Sequence, residues 1–306
     1  MREKAYLVGF LLAAALLLYL GHDLIRGSLL VSWGLSFAGT TTAVVLALTL
    51  YRFKLELEAS RDELRRKEAE LSFARQVQQA LFPRRLPDTG GLEFSAICIP
   101  ASAVSGDYYD VFQLPDGRLV LAIADISGKG VSAAILMANL QALLRVVGGT
   151  CPTPSAVCAK LNSHLHDVTG AYWFATFFYA EWYPSERRLS YANAGHNNPI
   201  LAGAAPIRSL DHGGIPLGIL PEYKYETGEV TLQPGDLVVL YSDGITEAGA
   251  RDGEEFGEAR LLSLVNANRR RPLSEIQDRI LREVRAWTGD EVEDDITLVL
   301  ARVPMD

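Results

Sequence analysis

Hydrophobic and polar positions change their pattern along the chain. Residues 5–20 are almost purely apolar, and residues 27–51 form a second run without a charged side chain. Residues 52–81 carry charges of both signs and contain no glycine or proline. From residue 92 onward, short β-branched and aromatic runs alternate with amphipathic stretches, separated by glycine and proline turns. The second apolar run exceeds the ~20 residues that a helix needs to span a bilayer. The first, behind Arg2 and Lys4, also fits a signal peptide. No small-x-small cleavage site separates the two runs, which favours a hairpin of two transmembrane helices over residues 1–51. Arg2, Lys4, Arg52 and Lys54 flank its outer ends, against Arg26 alone in the turn. That asymmetry predicts a multi-pass protein of the plasma (inner) membrane, with both termini and everything beyond residue 51 cytoplasmic.

Residues 52–91 are expected to form a connector helix and a linker. Leu57, Leu64 and Leu71 recur at heptad spacing, and Ala74 and Leu81 extend the apolar side, but the complementary seam holds Ser60 and Lys67. A coiled coil, with a homodimer formed through it, and a solvated single helix both fit this pattern. Pro83, Pro87 and Gly90-Gly91 end the segment.

The remainder, 92–306, reads as one α+β domain. Strands are expected at 94–102, 108–113, 118–125, 174–183, 189–193, 200–202, 225–232, 236–241 and 296–302. Helical periodicity appears at 131–147, 154–168, 258–268 and 273–288. The connections 114–117, 184–187 and 233–235 are too short for parallel crossovers, so they predict antiparallel neighbours. The expected architecture is an antiparallel β-sandwich flanked by α-helices.

A net charge of −8 with 22% charged residues argues against a nucleic-acid partner. Cys98, Cys151 and Cys158 show neither a paired framework nor C-x-x-C spacing, which suggests small buried side chains in a reducing compartment.

Candidate chemistry lies in acids at strand ends. Asp107 follows Ser105-Gly106 and precedes Tyr108-Tyr109-Asp110; Asp125 closes an apolar strand before Ile126-Ser127-Gly128-Lys129-Gly130. Asp243-Gly244 follows Val238-Val239-Leu240-Tyr241 as an expected tight turn, and Asp294-Asp295 precede Ile296-Thr297. Any one of these acids alone is more often a turn residue or helix cap. Together they form an oxygen-only donor set suited to Mg²⁺ or Mn²⁺, and two such ions orient a water against a phosphoryl group. The Gly-Lys-Gly of the second motif lacks Walker spacing, which excludes a nucleotide loop of that kind.

These motifs occur in order with Asn193-Ala194-Gly195-His196-Asn197-Asn198-Pro199 and Gly213-Gly214-Ile215-Pro216-Leu217-Gly218. From residue 92 to the end, the chain resembles the bacterial branch of the metal-dependent PP2C-type serine/threonine phosphatases, the branch of SpoIIE and RsbU. Residues 74–83 also resemble the connector helix that precedes such domains. The resemblance implies a β-sandwich holding two Mn²⁺ or Mg²⁺ ions and hydrolysis of phosphoserine or phosphothreonine by an activated water. Asp125 would bridge the ions with the Ile126 carbonyl beside it; Asp107 would serve one ion, and Asp243 with Asp294 the other. Asp295 would support the site from behind Asp294. The helix pair 131–168 resembles the segment that couples such sites to regulators, and the implied substrate is a phosphorylated STAS-type anti-sigma-factor antagonist. The general-acid histidine of eukaryotic relatives is replaced here by Ile126-Ser127-Gly128. His196 reads as a hydrogen-bonded turn residue rather than its substitute. Two rival readings remain: a non-catalytic binding module of the same fold, and a phosphatase for small phosphate esters.

Overall fold

A strand with every side chain buried, β11 (Ile296–Arg302), lies inside one sheet with a neighbour on each side. It belongs to a computed structural model that describes residues 29–88, 90–170, 172–203, 206–249, 253–289 and 293–305. The first apolar run, and with it one arm of the expected hairpin, lies outside the described residues.

The chain divides into two compact units between Ala69 and Glu70. Helix α1 (Leu29–Gln79) runs without a break through the sequence boundary drawn between residues 51 and 52. Leu30, Trp33, Phe37, Val44, Val45 and Leu48 are all exposed on it. The hydroxyls of Thr40, Thr41, Thr42 and Thr49 donate to carbonyls three or four residues back, so these four need no water. This helix is long and apolar enough to cross a membrane.

The second unit contains two sheets. In sheet A, β1 (Glu93–Ile99) and β10 (Leu237–Tyr241) flank β11, followed by β6 (Ile200–Ala202) and β7 (Arg208–Ser209). Sheet B runs β2 (Asp107–Gln113), β3 (Leu119–Ile126), β4 (Ala175–Tyr183), β5 (Arg188–Ala194) and β8 (Gly213–Gly214), with β9 (Gly228–Thr231) also pairing β5. All pairs are antiparallel except β5–β8.

Strand alternation sorts side chains into three apolar layers. Tyr109, Val111, Leu121, Ile123, Phe178 and Val299 fill the space between the sheets. On the outer face of sheet B, Tyr108, Val120 and Ala122 pack on α2 (Val131–Val147) and α3 (Pro154–Thr169). On the outer face of sheet A, Val239, Tyr241 and Leu298 pack on α5 (Glu258–Asn268) and α6 (Leu273–Thr288). The fold is thus a helix-flanked sandwich of the PP2C-like α+β class.

Two details differ from expectation. The turn 233–235 does not join paired strands: β9 pairs β5 in sheet B, whereas β10 lies in sheet A. The turn hands the chain between sheets because the Leu232 N–H bonds to Arg187 and the Gly235 N–H to Val303. Asp243 also opens a one-turn helix, α4 (Asp243–Thr246), rather than a simple turn, and the Glu247 N–H closes it on the Asp243 carbonyl.

Candidate active site

The apolar filling between the sheets gives way to polar residues at one end. Asp107 on β2 lies directly opposite Asp125 on β3, and Asp125 lies opposite Thr176 on β4. The three continue the face of Tyr109, Ile123 and Phe178, so this row of polar side chains looks across at sheet A. Sheet A answers with Thr297, whose hydroxyl donates to Asp107 Oδ2 at 2.6 Å. Ser242 joins β10 to β11 at the same level: its N–H bonds to the Thr297 carbonyl, and its Oγ accepts from the Thr297 N–H at 2.9 Å.

Asp243 follows Ser242 at the start of α4. Gly244 is required beside it, since a Cβ at that position would stand 2.1 Å from the Asp295 carbonyl oxygen. Asp294 is partly exposed and pairs with Lys129 Nζ at 2.8 Å. Both carboxylate oxygens of Asp295 are occupied: Oδ1 accepts from the Ala101 N–H, and Oδ2 from the Gly106 N–H and the Ser105 hydroxyl. The carbonyl oxygen of Ile126 lies beside Gly106, where a Cβ would come within 3.2 Å of it.

These acids act on one another. Burial, then the charge of Asp125, holds the Asp107 carboxyl well above the usual carboxylate range. Asp125 is pushed up to about 7 by burial and by the charges of Asp243, Asp294 and Asp295. Asp243 is raised by burial and by Asp294. Lys129 offsets part of the repulsion on Asp125 and Asp243. Among the described residues no three His, Cys, Asp or Glu side chains already close on one point as a cage, Asp294 being drawn to Lys129 and Asp295 to the loop before β2. The donor chemistry nevertheless fits a hard divalent cation: only oxygens converge, and their mutual repulsion is what a bound cation relieves.

Asp110, the last residue of the Ser-Gly-Asp-Tyr-Tyr-Asp motif, has a side chain inaccessible to solvent on the helix side of sheet B. Arg145 on α2 grips both of its oxygens at 2.6 Å, and the Tyr108 hydroxyl donates to it. The site also contains residues that sequence reasoning passed over: Gln78, Ser105, Thr176, Ser242 and Thr297. Thr176 and Thr297 carried a usable signal, each being a hydroxyl residue in strand register with, or just beyond, a singled-out acid. Gln78 carried none.

The arrangement is shared with known proteins. Residues 115–304 match the family model described as Stage II sporulation protein E (SpoIIE), a span that includes Asp125, Asp243 and Asp294 but not Asp107. The phosphoserine phosphatase RsbU of Bacillus subtilis is 30% identical over 236 residues, covering 76% of this chain and 70% of RsbU. The solved RsbU and RsbW domains of Rv1364c from Mycobacterium tuberculosis are similar at 27% identity with a TM-score of 0.62, over 71% of this chain and 61% of that one. The SiaA-PP2C domain of Pseudomonas aeruginosa shares the fold, with a TM-score of 0.68 at 23% identity over 78% of this chain and 98% of that domain. Fold and relatives together define a PP2C-type serine/threonine protein phosphatase. Within that class, the chain belongs to the SpoIIE family.

Proposed function

We propose that the chain is a membrane-anchored phosphatase whose acids hold two Mn²⁺ or Mg²⁺ ions and which removes phosphate from serine or threonine of a partner protein. The observation that carries this reading is the gathering of Asp107 and Asp125 from sheet B near Asp243 and Asp294 from sheet A at one end of the sandwich. They are close enough that Asp125 raises the proton affinity of Asp107, Asp243 and Asp294 raise that of Asp125, and Asp294 raises that of Asp243. When bound, the ions supply the positive charge that lowers the pKa of water and neutralises phosphoryl oxygens. Asp107, Asp125, the Ile126 carbonyl, Asp243 and Asp294 are the groups that would hold the ions. Asp295 holds the loop 101–106 against β11 and so fixes the approach of Asp107. Thr297 keeps one Asp107 oxygen engaged. Metal dependence is a property of PP2C-type phosphatases at large.

The substrate reading follows the relatives. A phosphoserine STAS-type antagonist in a sigma-factor pathway is the proposed target, supported by the similarity to RsbU. The proposed anchor is the apolar part of α1, supported by its length and outward-facing side chains. A homodimer through residues 52–81 remains part of the proposal, resting on the heptad leucines alone.

The test is Mn²⁺-dependent phosphate release by the full chain in detergent, beside Asp125→Ala and Asp243→Ala. A phosphoserine STAS protein and p-nitrophenyl phosphate serve as substrates. Turnover that both substitutions abolish, and that favours the phosphoprotein, is the expected result. Equal turnover of the two substrates would transfer the reading to small phosphate esters. Absence of turnover despite bound Mn²⁺ would favour a binding module.

A further inference from the structure

His196 is buried, and its role is not explained by its own turn. The turn holds it firmly: the Asn193 side chain accepts from the His196 N–H at 2.7 Å and donates to the His196 carbonyl at 3.0 Å. Those bonds involve the backbone and would serve any residue at this position. The imidazole faces elsewhere. Nδ1 lies 2.8 Å from the hydroxyl of Thr176, the residue opposite Asp125 in the β3–β4 register. Nε2 is buried without a hydrogen-bond partner of ordinary geometry among the described residues. The backbone group that acts on the ring is that of Tyr241, two residues before Asp243. His196 therefore stands between the end of sheet B that carries Asp125 and the end of sheet A that carries Asp243.

We propose that His196, acting through Thr176 and the Tyr241 backbone, is a positioning residue that sets the separation of Asp125 from Asp243 and thereby the affinity of the site for its metal ions.

The chain of contacts closes on itself. Thr297 bonds Asp107, Asp107 faces Asp125, Asp125 faces Thr176, Thr176 bonds His196, His196 meets Tyr241, and Ser242 returns to Thr297. Two links of this ring cross between the sheets, the Thr297–Asp107 bond and the one through His196. His196 is the side chain that closes the ring between sheets on the side away from Asp107.

The chemistry of the ring favours such a fixed part. Burial pushes the imidazole down to about 4, so it is neutral at physiological pH and has a single N–H. With that hydrogen on Nε2 toward the Tyr241 carbonyl, Nδ1 accepts from the Thr176 hydroxyl. Thr176 then spends its only hydrogen on His196 and presents oxygen lone pairs to the row containing Asp125. A group so poorly basic does not remove protons during turnover; it orients. Residues standing behind metal ligands in this manner typically affect metal affinity 10–100-fold.

The inference rests on the metal-dependent reading above, and the test separates the two. Mn²⁺ binding to the EDTA-stripped full chain in detergent is measured by titration calorimetry, with thermal melting in parallel. Wild type, Asp125→Asn, Thr176→Val, Thr176→Ser, His196→Ala and the Thr176→Val/His196→Ala double variant are compared. Thr176→Val and His196→Ala are each expected to weaken Mn²⁺ binding about ten-fold or more, with Thr176→Ser close to wild type. The double variant should be no weaker than the worse single, since both cut one link. If His196→Ala does not fold, the nearly isosteric Thr176→Val carries the test. Wild-type Mn²⁺ affinity in Thr176→Val and His196→Ala, with only the melting temperature lowered, would overturn the inference while leaving the metal site intact. Strictly additive losses would also overturn it. A wild-type chain that binds no Mn²⁺ would overturn the reading beneath it.

Discussion

Gln78 binds both backbone groups of Ser105, donating from its side-chain amide to the carbonyl at 2.7 Å and accepting from the N–H at 2.9 Å. Ser105 in turn donates its hydroxyl to Asp295 and accepts from the Asp107 N–H at 3.0 Å. The end of α1 is thus one residue removed from two acids of the candidate site.

Removing that amide leaves a buried N–H and a buried carbonyl without partners. Gln78→Leu is therefore expected to lower stability by about 2 kcal/mol and to reduce phosphate release by loosening the loop that carries Asp107. Chemical denaturation, together with activity at saturating Mn²⁺, checks both. An active variant of unchanged activity would confine Gln78 to a packing role.

Gly244→Ala should be among the most damaging small substitutions. Its methyl would collide with the Asp295 carbonyl oxygen, which belongs to backbone and cannot swing aside. A loss of about 3 kcal/mol, the upper end of overpacking costs, is expected, with Mn²⁺ affinity falling at the same time because Asp243 and Asp295 must separate. Melting curves with and without Mn²⁺ would show both effects.

Lys129 pairs with Asp294 and eases the charge on Asp125 and Asp243. Lys129→Gln should lower the melting temperature in EDTA, by no more than the ~1 kcal/mol an exposed pair contributes. Saturating Mn²⁺ should erase most of the difference, because the ions then neutralise the same carboxylates. A deficit of equal size in EDTA and Mn²⁺ would show that Lys129 acts elsewhere.

The neutral state of His196 gives stability a defined pH dependence. Its pKa in the folded chain is about 4, against about 6.5 when unfolded. The unfolded chain therefore takes up a proton that the folded one refuses. The contribution is fully present above pH 6.5 and is lost as pH falls toward 4, the loss reaching about 2 kcal/mol at pH 5. Urea denaturation at pH 7.5 and pH 5, in wild type and His196→Gln, would reveal it as the part of the acid sensitivity that the substitution removes.

Much of the sandwich was legible in the sequence. Helices 131–147, 258–268 and 273–288 fall where the periodicity puts them, and all nine expected strands form, several with shifted ends. Arg208–Ser209 and Gly213–Gly214 escaped notice because two-residue strands have no alternation to detect. The 233–235 turn misled because turn length reports chain reversal, not which sheet receives the returning strand. The acids themselves were visible at strand ends. Their surroundings were not, since Gln78, Thr176 and His196 act through register and hydrogen bonds between residues far apart in the chain. The partner of Asp110, Arg145, likewise sits on another element.

The place of β11 between β1 and β10 has a consequence for the chain as it is made. During synthesis β1 and β10 leave the ribosome before the strand that must separate them, so sheet A stays divided until residues 296–302 emerge. Asp294 arrives with that strand, and Thr297, which fixes Asp107, lies within it. On the proposed site, a nascent chain therefore lacks a complete set of acids until this strand is delivered, and sheet A closes in the same step.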